Sequence, residues 1–315
     1  MTNDRNRFIL PFAIGLAILA ISTSSIFIRL AQAEGVPSVV IATLRLTFAT
    51  LLLLPIALTK YIDEIKRFTQ KELALGALAG LFLAIHFATW ITSLEFTKVA
   101  SSAVFVSTAP LWVALLSPVL LNEKLSRAAV IGLTLTLAGG TVIGLSDACA
   151  WDGGLSCPSL NNFLQGRPAW GNFLALAGAW AVTGYLIIGR KVRVGLSLVP
   201  YIFLVYGMAA IALIIFMLVS GNSPFGYTAK AYGWMFLLAA VPQIIGHSTL
   251  NWALKYISAA FVAVTTLGEP IGSATLAYFI LKETPGFTVI AGGVLILTGI
   301  YLASQTEKNN SQTEG

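Results

Sequence analysis

The side chains with the clearest chemical potential in this sequence are ionisable groups inside apolar runs. His86 and His247 are its two histidines, Arg45 lies in the run TLRLTFATLLLL, and Glu269 lies in TTLGEPIGS. An ionisable group within hydrocarbon must pair, take up a proton or face a water-filled cavity, so each is a functional hypothesis. The structural alternative for Arg45 is that it snorkels or ties helices together. No HExxH or nucleophile motif accompanies these groups, which disfavours an intramembrane enzyme.

Polar and aromatic side chains accompany the two histidines at helical spacing. His86 and Trp90 are four residues apart, and a second stripe places Gln243, His247 and Asn251 at intervals of four. Residues at this spacing share a helix face. We therefore expect both faces to line a polar cavity inside a helical bundle. The alternative is interhelical hydrogen bonding in a dry core.

The remaining candidates for the cavity wall are hydroxyl and indole side chains, namely Thr108, Trp112, Trp180 and Thr265. Aromatic walls with a few polar groups suit small amphipathic ligands, so the expected partner is a small-molecule substrate of this kind. The sequence contains no Walker motif, Gly-rich phosphate loop or metal constellation. We therefore predict no cofactor and no metal, and primary active transport by this chain alone is unsupported.

Composition indicates that membrane-spanning helices position these residues. Of the 315 residues 57% are hydrophobic and 10% are charged, whereas soluble domains carry about 25% charged residues. The apolar residues form continuous runs that are long enough for α-helices to cross a bilayer. The ten predicted spans are 8–30, 37–58, 73–94, 99–121, 128–145, 169–189, 196–220, 232–250, 257–281 and 287–303.

The chain is also a duplication. The segment 101–126 returns 160 residues later, so that Pro110 matches Pro270. We therefore predict an all-α membrane protein in which ten transmembrane helices form two inverted five-helix repeats, because an odd number of spans reverses the direction of the second copy. The predicted parts are a first repeat, an extracytoplasmic loop, a second repeat and a polar cytoplasmic tail, at 1–146, 147–168, 169–303 and 304–315.

The two copies differ at a position in the middle of the fourth and ninth spans. Ala109 in the first copy corresponds to Glu269 in the second. A carboxylate paired with Arg45 or His247 would anchor the structure or gate it, whereas an unpaired carboxylate in a cavity would carry a coupling proton. The sequence leaves both roles open.

The distribution of basic residues predicts the orientation of the chain. With an even number of spans both termini share one side of the membrane, and that side receives thirteen of the 19 Lys and Arg residues. The positive-inside rule therefore places both termini in the cytoplasm and the protein in the plasma (inner) membrane. The net charge of +6 arises from these short loops, so the expected partner is the lipid bilayer and no nucleic acid is expected.

The two cysteines, Cys149 and Cys157, lie in the loop after the fifth span. This topology places the loop outside the cytoplasm, where disulfides persist. A disulfide between them is preferred over two free thiols. A metal site is less favoured, because a Cys pair without a nearby His is an incomplete ligand set.

The chain resembles the drug/metabolite transporter superfamily and, within it, the EamA-like permeases. The resemblance is carried by STAPLWVALLSPVLLNEKLS with LAGG downstream, and by LGEPIGSATLAYFILKETPG followed by GGVLILTGIYL. Arg45 in the second span also fits, whereas the loop with Cys149 and Cys157 departs from the family's usual short connection. The resemblance implies a carrier without ATP hydrolysis, in which the first four helices of each half surround a central cavity. Members move amino acids, metabolites, nucleotide sugars or drugs.

From these features we expect a secondary transporter, or permease, that exports small amphipathic metabolites such as amino acids by alternating access. The alternatives are a drug or nucleotide-sugar exchanger of the same fold, and a membrane sensor or scaffold that transports nothing. Proton coupling through Glu269 and gating through Arg45 are separate hypotheses. The sequence is compatible with a monomer or a homodimer.

Overall fold

The computed structural model describes residues 3–120, 127–148, 150–151, 155–156, 166–193, 195–257 and 259–313. Within them, the strands β1 (Ala150–Trp151) and β2 (Leu155–Ser156) form a two-residue antiparallel ladder. Ala150 pairs with Ser156, and Trp151 with Leu155. Apart from this ladder the regular structure of the described residues is helical, which confirms the prediction of an all-α protein.

Up to residue 148 the described helices follow the predicted spans closely, with short breaks inside two of them. They are α1 (Asn3–Ser22), α2 (Ser24–Ala33), α3 (Ser38–Lys60), α4 (Ile62–Lys66), α5 (Gln70–Ser93), α6 (Val99–Val106), α7 (Ala109–Leu120) and α8 (Arg127–Ala148).

The second part of the chain contains π-helical segments as well as α-helices. Its α-helices are α9 (Arg167–Arg193), α10 (Leu198–Val219), α11 (Ala229–Leu238), α12 (Ser248–Ala253), α13 (Ala259–Thr265), α14 (Gly268–Leu276) and α15 (Phe287–Thr313). The π-helical segments are Ala239–His247, between α11 and α12, and Ala277–Leu281, after α14.

Five helical segments of the described chain are long and apolar enough to cross a membrane. About half of each apolar stretch is buried inside the protein, and large hydrophobic side chains cover much of the outer surface. An outer surface of apolar side chains is stable in contact with lipid hydrocarbon, which contains no water. The protein is therefore a multi-pass integral membrane protein. The five segments are Leu10–Ala33, Ser38–Lys60, Gln70–Ser93, Arg167–Arg193 and Leu198–Val219.

Proline breaks the helices at equivalent places in the two halves. The predicted span 99–121 is divided into α6 and α7, with Pro110 in the first turn of α7. The predicted span 257–281 is divided in the same way, with Pro270 in the first turn of α14. A proline has no N–H to continue the helical hydrogen bonds and clashes with the preceding turn. The spans that contain Pro110 and Pro270 are therefore each interrupted beside the proline.

Helices from the two halves of the chain pack against each other throughout the bundle. α3 packs on α10, and α8 packs on α15. α5 packs on α9, while α1 packs on the π-helical segment Ala239–His247 and on α14. Each predicted half therefore buries its apolar faces chiefly against the other half.

The contact between α8 and α15 depends on glycine. A Cβ atom on Gly139 would lie 2.5 Å from the carbonyl oxygen of Gly292, and one on Gly299 would lie 2.6 Å from that of Gly132. Only a residue without a side chain permits so close an approach of two backbones. These glycines therefore allow α8 and α15 to pack closely against each other inside the bundle.

Arginines at the ends of two helices bind backbone carbonyls in parallel ways. Arg29 Nη1 donates to the carbonyl oxygen of Leu94 at 2.6 Å, and Arg190 Nη1 donates to that of Leu254, also at 2.6 Å. Arg29 also forms an ion pair of 2.9 Å with Glu283. These contacts fasten the ends of the spans that surround the centre of the bundle.

Candidate functional site

A cavity of about 60 Å³ lies between the two halves of the bundle. The wall combines aliphatic, aromatic and polar side chains. It consists of Ile21, His86, Trp90, Val106, Ser107, Ala109, Val182, Tyr185, Leu186, His247, Leu250, Asn251, Val262, Ala263, Thr266 and Glu269.

Several pairs of repeat-related positions line this cavity together, and most of these pairs differ in polarity. The first-half member is apolar or aromatic where the second-half member is polar, except that both halves supply a histidine. Most polar side chains of the cavity wall therefore come from the second half, which supplies Tyr185, His247, Asn251, Thr266 and Glu269 beside its apolar residues. The pairs with a polar member are His86 with His247, Trp90 with Asn251, Val106 with Thr266, and Ala109 with Glu269.

His86 is held in one orientation and one tautomer. Its Nδ1 donates a hydrogen bond of 2.9 Å to the carbonyl oxygen of Gly178, an atom that can only accept. In the neutral ring Nε2 is consequently an acceptor. The imidazole stacks on Trp90, with ring centroids 5.8 Å apart and planes 13° apart.

Asn251 belongs to a buried hydrogen-bond network. Its Nδ2 donates to the hydroxyl of Tyr185 and to the carbonyl oxygen of His247, the latter at 2.8 Å. Within the described part of the chain its Oδ1 has no hydrogen-bond partner. The ring of His247 meets the ring of Phe87 edge-on, with centroids 5.5 Å apart.

Arg45 lies behind the cavity wall and is fully buried. Its Nε donates a hydrogen bond of 2.9 Å to Oε1 of Gln243, and its guanidinium carbon lies 3.9 Å from the ring centroid of Phe87. Both Nη atoms lack a partner among the described residues. Burying a cation in this way is costly, so the cation–π contact and the single hydrogen bond compensate only part of the desolvation.

Glu269 opens into the cavity from the start of α14 and is half-buried. Its backbone N–H donates a hydrogen bond of 2.9 Å to the carbonyl oxygen of Thr266. Within the described chain its carboxylate makes no hydrogen bond and no ion pair, although the charge of Arg45 acts on it electrostatically. The structure therefore brings Glu269 near Arg45 and His247 without pairing it to either.

Several residues predicted for the cavity lie elsewhere. Trp112 and Trp180 line a separate apolar groove on the surface, where their rings meet edge-on at 5.5 Å. Trp180 comes two residues before Val182, which faces the cavity, so the helix turns it about 200° away. Thr108 accepts a hydrogen bond of 3.1 Å from Nε1 of Trp112 and stays outside the cavity.

Two further predictions have different outcomes. Thr265 donates to the carbonyl oxygen of Val262 at 2.7 Å and does not line the cavity, whereas the adjacent Thr266 does.

Cys149 and Cys157 lie outside the described residues, so their disulfide stays a prediction. Among the described residues no group of three or more His, Cys, Asp and Glu side chains is placed to hold a metal ion.

Sequence reasoning missed three polar members of the wall, Ser107, Tyr185 and Thr266. Tyr185 is an isolated polar group in the predicted span 169–189, and no second polar residue at helical spacing marks it. Thr266 carried a usable signal, because it replaces Val106 of the first copy in the same way that Glu269 replaces Ala109.

A multi-pass membrane protein with a polar cavity between repeat-related helices has the architecture of a membrane transporter. The model of the EamA-like transporter family matches residues 9–145 and 169–305. The chain belongs to this family, so it is a transporter with a small-molecule substrate.

Relatives of similar length support the same class. An uncharacterized transporter of Archaeoglobus fulgidus is 24% identical over 92% of this chain and 94% of its own. The pseudopaline exporter CntI of Pseudomonas aeruginosa is 23% identical over 93% of this chain and 96% of its own. A protein of known crystal structure matches with a TM-score of 0.66 and 19% identity, over 95% of this chain and 98% of that one. This last similarity concerns the fold alone.

Proposed function

We propose that this protein is a secondary transporter that exports small amphipathic metabolites, such as amino acids, by alternating access. The observation that carries the proposal is a cavity that combines an apolar surface with a small set of polar side chains, most of them from the second half. Such a site binds a molecule that has both an apolar body and a polar end. The name of the pseudopaline exporter supports the direction of transport.

The proposed architecture is ten helices in two inverted five-helix repeats, 1–146 and 169–303, with the connecting loop outside and both termini in the cytoplasm. Two observations support it. The family model matches twice, once in each half. The contacts between glycines are exchanged by the 160-residue offset, since Gly139 meets Gly292 where Gly299 meets Gly132. A pseudo-two-fold arrangement of this kind supplies two similar packings, one open to each side.

We also propose that Glu269 carries the coupling proton. A carboxylate that faces a cavity without a partner exchanges a proton with whichever side the cavity opens to. A permanent ion pair with Arg45 would remove this capacity, and the described residues contain no such pair. Arg45 then acts at a distance, as a fixed positive charge behind the wall.

The test uses everted membrane vesicles that contain the protein, with a panel of amino acids, amine drugs and nucleotide sugars. We expect uptake of at least one amphipathic metabolite, driven by an imposed pH gradient. Glu269→Gln is expected to abolish the response to the gradient, whereas Glu72→Gln, at the exposed N-terminus of α5, is expected to leave it intact. Uptake of no panel member would contradict the carrier.

The same panel separates the alternatives. Nucleotide sugars carry phosphates, and among the described residues of the wall there is no Lys or Arg to bind them. A nucleotide-sugar exchanger is therefore the less favoured alternative. Binding of a panel member without flux would instead support a sensor or scaffold.

A further inference from the structure

The Asp, Glu, Lys and Arg side chains of the described cavity wall have one sign of charge, which is negative. Among the described residues that line it, Glu269 is the one Asp, Glu, Lys or Arg side chain. Arg45 is close enough to act electrostatically but lies behind the wall, against the ring of Phe87 and bonded to Gln243. A ligand in this cavity therefore meets a carboxylate directly, whereas the guanidinium of Arg45 is not part of the wall.

The hydrogen bonds of the wall leave acceptors free. His86 uses its Nδ1–H on the carbonyl of Gly178, so Nε2 is an acceptor. Thr266 donates its hydroxyl proton to the carbonyl oxygen of Ala263 at 2.7 Å, which leaves its lone pairs free. Asn251 commits its amide N–H groups to Tyr185 and to a backbone carbonyl, so it offers the cavity no free N–H donor. This part of the wall is complementary to a group with several N–H donors.

The aromatic side of the wall favours the same kind of ligand. Trp90 and His86 form a stacked pair on the first-half side, so this side of the wall is aromatic. Val106 and Ala109 continue this wall as hydrocarbon. A cationic end and an apolar body would thus both be accommodated.

We propose that the group recognised in this cavity is a protonated amine, and that the preferred substrates are cationic amines with an apolar body and no carboxylate. The proposal rests on the transport function proposed above and narrows its substrate class to amines, in place of the amino acids given there as the example. A substrate carboxylate would lie beside Glu269, and no Lys or Arg among the described wall residues would pair with it. An unpaired buried charge is strongly unfavourable. A zwitterionic amino acid is therefore a poorer ligand than the corresponding amine.

The test compares three ligands that share one benzyl group: phenethylamine, phenylalanine and 3-phenylpropionate. Binding to the full-length protein in detergent is measured by isothermal titration calorimetry. We expect phenethylamine to bind at least about tenfold more tightly than phenylalanine, the difference that 1.4 kcal/mol produces, and 3-phenylpropionate to show no binding. Phenylalanine binding as tightly as phenethylamine, or more tightly, would overturn the proposal.

Variants locate the preference in the wall. Glu269→Gln is expected to remove the preference for the amine, and Glu72→Gln is expected to keep it. Thr266→Val takes the residue of the repeat partner Val106, so it should fold, and it is expected to weaken amine binding several-fold. Unchanged affinity in both cavity variants would place amine binding elsewhere and overturn the assignment.

Flux through reconstituted liposomes separates this inference from the transport function. Amine binding without flux of any of the three ligands would contradict the proposed transport function, but it would still support recognition of a protonated amine. Flux of phenylalanine but not of phenethylamine would contradict the preference for amines, but it would still support the proposed transport function.

Discussion

The glycine contact between α8 and α15 supports a quantitative prediction for the variant Gly292→Ala. Its Cβ would lie 2.7 Å from the carbonyl oxygen of Gly139 and 2.6 Å from Cγ1 of Ile143. An ordinary C···O contact is about 3.3 Å or longer, so the backbones must separate by about 0.6 Å. Overpacking of this kind costs about 1–3 kcal/mol. The neighbouring Gly293→Ala is the matched control, because its nearest atom would be Cγ2 of Val104 at 3.7 Å.

Both substitutions gain the same helix propensity, up to about 1 kcal/mol, so this term cancels in the comparison. The free energy of unfolding should therefore be about 1–3 kcal/mol lower for Gly292→Ala than for Gly293→Ala. The measurement is unfolding by sodium dodecyl sulfate in mixed micelles, followed by circular dichroism. If Gly292→Ala is as stable as Gly293→Ala, the two helices do not meet at this glycine and the contact is wrong.

Three further predictions concern polar contacts. Arg45→Met with Gln243→Leu should be at least as stable as wild type, because it removes a buried cation whose desolvation is only partly compensated. Arg45→Met alone should be about 1–3 kcal/mol less stable than this double variant in the same assay, because it leaves the amide oxygen of Gln243 unpaired. Arg29→Gln should lower the free energy of unfolding by about 1 kcal/mol by removing an ion pair, and an unchanged value would contradict that contact. Hydrogen bonding to Lys230 lowers the pKa of Glu34, so its stabilisation is present above the unfolded-state pKa and is lost as pH falls through the folded-state pKa. A pH series of thermal unfolding should therefore show less loss on the acid side for Glu34→Gln.

The apolar pattern predicts the helices well, but it cannot show where one copy of the repeat has two additional residues within a helix. Thr69 and Thr228, the N-cap residues of α5 and α11, are 159 residues apart, whereas His86 and His247 are 161 apart. The two additional residues lie in the helix itself, where Ala239–His247 is π-helical. A π-helix has more residues per turn than an α-helix, so it takes up extra residues without displacing the helix ends. Periodicity of the α-helical kind does not reveal such a segment.

The site could be predicted in part, because ionisable side chains within membrane-spanning helices almost always face the interior of the bundle or a cavity. His86, His247 and Glu269 all line the cavity. The indoles of Trp112 and Trp180 followed no such constraint, since an apolar ring is equally stable against lipid. Their exclusion from the cavity depends on the rotation of α7 and α9, which is set by tertiary packing.

The two halves share their supporting contacts and differ in the wall of the cavity. The glycine contacts and the bonds from Arg29 and Arg190 to backbone carbonyls recur in both halves, and these residues lie outside the cavity wall. The substitution of Ala109 by Glu269 lies inside it. A conformational change that exchanges the roles of two halves needs matched supporting contacts, whereas a substrate with one charged end needs an unmatched wall. This division predicts that substrate preference can be altered at Glu269 without loss of the fold.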